Sequence, residues 1–223
     1  MIVYGRNPVS ELVRAGRRRV HHVWATKDPG FPYTRATADE LTGRAGTDAH
    51  QGIVAEADAY HYVHAAELLA RDGLVLVLDE VQDPQNLGAI CRTAEVAGAL
   101  GVVIHDRRAA EVTPAVCKAS AGAVEHLAIA RVRNIADFLG EAKEAGFWCY
   151  GAAADGPASC FDVDWPARCA LALGAEGKGL RPRVAKACDE LVSVPMRGHL
   201  DSLNVSATAA LLTYLALQRT FRA

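Results

Sequence analysis

From residue 73 onward the chain carries a recurring series of short, nearly continuous apolar runs, at 74–78, 102–105, 147–151, 170–173 and 191–194. A strand with one wet face alternates polar and apolar residues. Runs such as LVLVL do not, so both of their faces must be covered. The intervening segments 87–99, 113–121, 135–145, 181–187 and 202–219 have helical spacing. Strands separated by helices imply crossover connections and a parallel sheet covered on both faces, which is the α/β class. Such a sheet places its ligands beyond the carboxyl ends of the strands. Three of those exits are rich in glycine, asparagine, serine and charge: DEVQDPQNLGAICRTAEVA at 79–97, GAEGKGL at 174–180 and PMRGHLDSLNVS at 195–206. No G-x-G-x-x-G follows the first of these strands and no G-x-x-x-x-G-K-[ST] occurs, so the usual dinucleotide and triphosphate loops are absent.

The last exit runs into a helical pattern in which Leu203, Ala207, Ala210/Leu211 and Tyr214 share a face. Its polar cluster, SLNVS, reads either as a ligand-holding loop or as Asp201 or Ser202 capping the helix. Taken singly, Asn86 reads better as a helix cap, Arg92 as a surface charge and Glu176 as a solvated loop carboxylate.

Taken together, the three exits closely resemble the SpoU/TrmH branch of the SPOUT methyltransferases. The family's N-x-G-A-I-x-R-T-A is matched at 86–94, its G-x-E-x-x-G-L at 174–180, and its P-M-x-G followed by S-L-N-V-S at 195–206. The resemblance implies a C-terminal parallel-sheet SPOUT fold with a deep trefoil knot, a rare exception to unknotted topology. It also implies S-adenosyl-L-methionine as cofactor and methyl transfer to a ribose 2′-hydroxyl of RNA. By that resemblance the catalytic set is Arg92, Asn86, Glu176, Asn204 and Ser206, and the cofactor lies against Gly174, Val194, Met196 and Leu203. Family members act as homodimers through the knotted domain. A guanidinium stays protonated in proteins, so Arg92 is read as a phosphate clamp that orients the hydroxyl, with the proton acceptor left open. The segment TPAVCKASAGA at 113–123 also resembles the family, which implies that Lys118 and Ser120 lie near the active side of the fold, with Lys118 a candidate RNA contact. A small-residue helix packed on the sheet explains it equally.

Residues 1–63 read as a small α/β unit, 64–73 as a linker and 74–223 as the methyltransferase domain. YGRNPV, VHHVWAT and HQGIVA resemble the N-terminal RNA-binding domain of bacterial rRNA ribose methyltransferases. Residues 27–49 are short and rich in Gly, Pro, Thr and Asp where that family carries a further helix, so the domain reads as trimmed. Arg6, Arg17 and Arg18 near the first helix suit phosphate contact, or complement the negative end of the helix dipole. With this domain present, the expected substrate is a guanosine of 23S ribosomal RNA. A tRNA, an rRNA site tied to antibiotic resistance, and a non-catalytic role in ribosome assembly are the alternatives.

The formal net charge is −2, with 51% hydrophobic and 22% charged residues, which describes a globular chain without a broad basic surface. No apolar run approaches the roughly 20 residues of a membrane helix, and no secretory leader is read. The six cysteines contain no C-x-x-C pair and read as reduced core thiols of a cytoplasmic protein. His61 and His64 lack companions that would complete a metal site.

Overall fold

The computed structural model describes residues 1–107 and 109–221. The N-terminal unit comprises β1 (Ile2–Tyr4), α1 (Arg6–Ala15), β2 (Val20–Ala25), β3 (Thr34–Arg35), α2 (Ala38–Ala45) and β4 (Ile53–Ala57). Its sheet runs β1-β4-β2-β3, with β4 antiparallel to both of its neighbours. Helix α2 corrects the reading of 27–49 as a segment without a helix. Its start is a reciprocal capping box, in which the Thr37 hydroxyl accepts from the Glu40 amide and the Glu40 carboxylate from the Thr37 amide.

After the short helix α3 (Ala65–Leu68), the second unit alternates regularly: β5 (Gly73–Asp79), α4 (Pro84–Ala97), β6 (Gly101–His105), α5 (Pro114–Ala119), β7 (Ile129–Val132), α6 (Ile135–Glu144), β8 (Trp148–Ala152), β9 (Ala158–Ser159), β10 (Arg168–Gly174), α7 (Pro182–Ala187), β11 (Glu190–Ser193) and α8 (Val205–Leu217). The seven strands form one sheet in the order β7-β6-β5-β10-β8-β11-β9, and every pair in it is parallel. The five expected strands and five expected helices are present. The edge strands β7 and β9 were not anticipated.

Both faces of the sheet are buried, as continuous apolar strands require. Leu74, Leu76, Leu78, Ile104 and Leu171 pack on α4, α5 and α8, while Val75, Val77, Val103 and Ala172 pack on Phe138, Leu139 and Val184 of α6 and α7. Helices α4 and α5 approach to contact at Gly88, where a Cβ would lie 2.4 Å from that of Ala119. Helix α8 is apolar all round, and its buried residues are Val205, Ala209, Leu212, Thr213, Ala216 and Leu217. The face expected from spacing is the outward one, with Leu203 46% and Tyr214 45% exposed. All six cysteines are free; five are buried and Cys188 is partly exposed, and burial pushes the Cys149 and Cys169 thiols up to about 12.

The two units share one core, since Val3, Val9, Leu12, Ile53 and Ala55 join the cluster that covers the first sheet face. A buried ion pair stands at their junction. Arg18 grips both carboxylate oxygens of Glu125 and also donates to the Asp58 carbonyl at 2.9 Å, with the two charged side chains 3% and 1% exposed. The assignment of Arg18 to RNA is therefore corrected. A buried carboxylate must be paired, and the guanidinium fork satisfies both of its oxygens. Around this pair Tyr60 donates to the Leu127 carbonyl at 2.9 Å and His126 meets Glu11 at 2.8 Å.

Arg18→Ala leaves Glu125 buried and unpaired, and should lower the unfolding free energy by about 3–5 kcal/mol. Urea denaturation of this variant beside Arg17→Ala, which removes an exposed neighbour, checks the assignment; equal midpoints would contradict it.

Candidate active site

The site is built at the carboxyl ends of β5 and β10. Strand β5 ends in Asp79, whose buried carboxylate accepts from the Arg181 amide at 2.9 Å and from its Nε at 2.7 Å. The 174–180 loop is thereby tied to the neighbouring strand. Within the loop, the Gly179 amide donates to the Ala175 carbonyl at 2.9 Å. The chain closes on itself so tightly that a Cβ on Gly174 would lie 2.1 Å from the Gly179 carbonyl carbon. Only glycine fits there.

This folding brings together one side chain from each of the three sequence motifs. Asn86 Nδ2 donates to Glu176 Oε1 at 3.0 Å, and Asn204 Nδ2 donates to the same oxygen at 2.5 Å and to Asn86 Oδ1 at 3.1 Å. Asn204 does a second job. Its Oδ1 accepts from the Ser206 amide at 2.8 Å and the Ser206 hydroxyl at 2.5 Å, so it is the N-cap of α8, and neither Asp201 nor Ser202 is. Asn86 is not a cap either. Asp83 caps α4 through the Gln85 amide, ahead of Pro84 in the first turn.

Beside this cluster lies a cavity of about 590 Å³ beyond the ends of β8, β10 and β11. Gly174, Val194, Met196 and Leu203, the four residues expected to hold a cofactor, all line it. Its size is that of an ordinary small-molecule pocket, and its wall combines apolar residues such as Leu191 and Val192 with polar ones such as Asp155, Lys178, Asp201 and Thr208.

Arg92 is not brought to the cluster. It is exposed and lies six residues beyond Asn86 on α4, a rise of about 9 Å and about two-thirds of a turn around the axis. It lines a separate shallow cavity of about 440 Å³ with Asn7, Arg14, Ser120 and His126. Lys118 lies against Tyr4, 6.0 Å from the ring centre, and partial burial lowers its pKa. Arg6 and Arg17 are exposed at the two ends of α1. Sequence reasoning missed Asp79 as a structural anchor, although a carboxylate closing an apolar strand was a signal for it.

The profile of the SpoU rRNA methylase family matches residues 73–214, and that of RNA 2′-O ribose methyltransferase substrate-binding domains matches 2–63. The Bacillus subtilis protein YacO, named for the TrmH family of tRNA/rRNA methyltransferases, is 45% identical, with 95% of this chain and 93% of YacO covered. The chain belongs to the SpoU rRNA methylase family. It is therefore an RNA methyltransferase. A 23S rRNA (guanosine-2′-O-)-methyltransferase of Ralstonia nicotianae is 38% identical over 94% of this chain and 86% of that protein. Among solved structures, the SpoU methyltransferase AviRb from Streptomyces viridochromogenes, in complex with AdoMet, superposes with a TM-score of 0.83 at 25% identity, covering 99% of this chain and 90% of that one. No helix among the described residues is long and apolar enough to cross a membrane.

Asn204→Asp retains the cap, since aspartate caps as well as asparagine, but sets a carboxylate against Glu176. A like charge raises a folded carboxylate's pKa above its unfolded value, so stability present at low pH is lost as pH rises through the raised value. Thermal denaturation should show a larger deficit against the parent at pH 8 than at pH 5. A deficit independent of pH would mean that the two side chains do not face each other.

Proposed function

We propose that the protein transfers a methyl group from S-adenosyl-L-methionine to the 2′-hydroxyl of a guanosine ribose in 23S ribosomal RNA. The carrying observation is the Asn86–Glu176–Asn204 cluster at the rim of the 590 Å³ cavity. The cavity suits the cofactor: Val194, Met196 and Leu203 offer apolar contact, and the glycine at 174 keeps main-chain groups accessible to an adenosine. The cofactor supplies a methyl group already activated on a sulfonium. The protein's task is chiefly alignment. Glu176, held by two amide donors, accepts a hydrogen bond from the ribose or base. Asn86 and Asn204 fix that carboxylate, and Ser206 fixes Asn204.

Arg92 clamps the phosphate next to the target ribose. It does so in a homodimer, which accounts for its distance from the cluster of its own chain: the site is completed by Arg92 of a second copy. The outward apolar residues of α8 and α4, among them Tyr214 at 45% and Val96 at 64% exposure, provide a surface for that pairing. A trefoil knot formed where the 174–180 and 194–204 segments meet belongs to the same proposal. The resemblance of residues 2–63 to substrate-binding domains and the Ralstonia relative support ribosomal RNA as substrate. Free cysteines, five of the six buried, suit the reducing cytoplasm.

Labelled methyl from S-adenosyl-L-methionine, offered with undermethylated 23S rRNA, 16S rRNA and tRNA in separate reactions, should appear on one 23S ribose. Label on tRNA would move the substrate, and bound cofactor with no label would make the protein an RNA-binding assembly factor. Arg92→Ala should lower the transfer rate by roughly 100-fold, the scale of losing one transition-state donor, while cofactor affinity by calorimetry stays within about twofold of the parent. Equal losses in both would remove Arg92 from the chemistry.

A further inference from the structure

A second cleft, of about 600 Å³, opens at the carboxyl ends of β6 and β7 on the same sheet edge. Its walls carry Arg107, Arg133, Arg181 and Arg183 from three separate segments of the chain. The protein as a whole is acidic, at −2, so this concentration of guanidinium groups is local. Two of the four are committed: Arg181 to Asp79 and Glu80, and Arg183 to Asp137 at 2.8 Å. Arg107 and Arg133 are exposed, and among the described residues no carboxylate pairs with either. Asp106 is the one acidic residue of the cleft wall, and His105 Nδ1 lies 3.3 Å from it.

The position of the cleft matters as much as its charge. The 174–180 loop carries Glu176 at the catalytic cluster and ends at Arg181 in the cleft wall, so one rigid loop borders both. Glu80, the ion-pair partner of Arg181, stands between them and lines the small cavity shared by Asn86 and Glu176. In the strand order, β6 is two positions from β10, or about 10 Å at the spacing of hydrogen-bonded strands. That is a reach of a few nucleotides along an RNA strand.

We infer that this cleft holds the phosphodiester backbone of the RNA substrate on one side of the methylated ribose, with Arg107 and Arg133 as its phosphate contacts. The inference rests on the RNA methyltransferase reading of the neighbouring cluster. Guanidinium groups suit this role because their planar donor fork matches phosphate oxygens. Phosphate contacts of this kind fix register and carry no sequence information. The cleft therefore serves any RNA whose target ribose reaches the cluster, and selection of the nucleotide is left to other surfaces.

The test uses the full-length protein carrying Arg107→Glu and Arg133→Glu together, with naked undermethylated rRNA as substrate. Each single-strand phosphate contact contributes about 0.7 to the slope of log affinity against log salt, so two lost contacts weaken binding roughly tenfold at physiological salt. The expected result is a KM for RNA raised at least tenfold and a salt slope reduced by about 1.4. Cofactor affinity and the thermal midpoint should be those of the parent, and the paired Arg→Lys variant should keep most of the salt slope. An unchanged KM and slope would overturn the inference, as would an effect confined to ribosomal particles, which would point to an acidic protein partner. Failure of the parent protein to methylate any RNA would instead overturn the reading on which the inference rests, so the two failures are distinguishable.

Discussion

The contact on which the functional edge depends is the buried carboxylate of Asp79. It closes the central strand β5 with a side chain that is 0% exposed, and it is compensated by three donors of one residue, Arg181. A charge in that position is tolerable only while paired and hydrogen-bonded. Its partner cannot drift, so the end of the 174–180 loop is fixed to β5, and the Gly174–Gly179 approach fixes the start. Glu176, midway, has little freedom left. The loop thereby divides the sheet edge into a cavity of mixed apolar and polar lining on the β8 and β11 side and a basic cleft on the β6 and β7 side.

The Asn86–Glu176–Asn204 cluster inherits this rigidity and adds its own. Asn204 uses its carbonyl oxygen to cap α8 and its amide nitrogen to hold Glu176, so the direction of the helix and the orientation of the carboxylate are set by one side chain. Asn86 receives the second amide hydrogen bond of Asn204 while donating its own to Glu176, and it is only 7% exposed. A network in which every member is satisfied specifies one geometry. The same network with a partner missing leaves a nearly buried polar group unpaired.

How much of this was legible in the chain follows the range of the interactions. The central strands could be read because their burial is written locally, as continuous apolar runs. The three motifs could be read because each sits at a strand exit and their order and spacing match a family. Helix α2 was legible too, through Thr37 and Glu40 three residues apart, but its loop-like composition outweighed that signal. Arg18 was not legible. Nothing in RRR tells which guanidinium turns inward, because the partner that decides it, Glu125, lies 107 residues away. The buried face of α8 was beyond periodicity for a different reason: a helix apolar all round has no preferred side until its neighbours are known.

The Arg18–Glu125 pair also bears on how the two units are held together. Its desolvation is costly, and a hydrophobic pair of the same volume would often serve stability equally well. A charged pair does something that an apolar contact does not: it is directional, accepting only the orientation in which both carboxylate oxygens meet the guanidinium fork. Together with the Tyr60 hydroxyl on the Leu127 carbonyl and the Tyr62 hydroxyl that accepts from the Val112 amide at 2.9 Å, it fixes the N-terminal unit in one pose against α5 and the segment that follows it. The two units are therefore set at one angle and separation, and the entropy of ordering them has been spent in folding. A directional, buried junction of this kind, and not apolar burial alone, decides how the two units face each other.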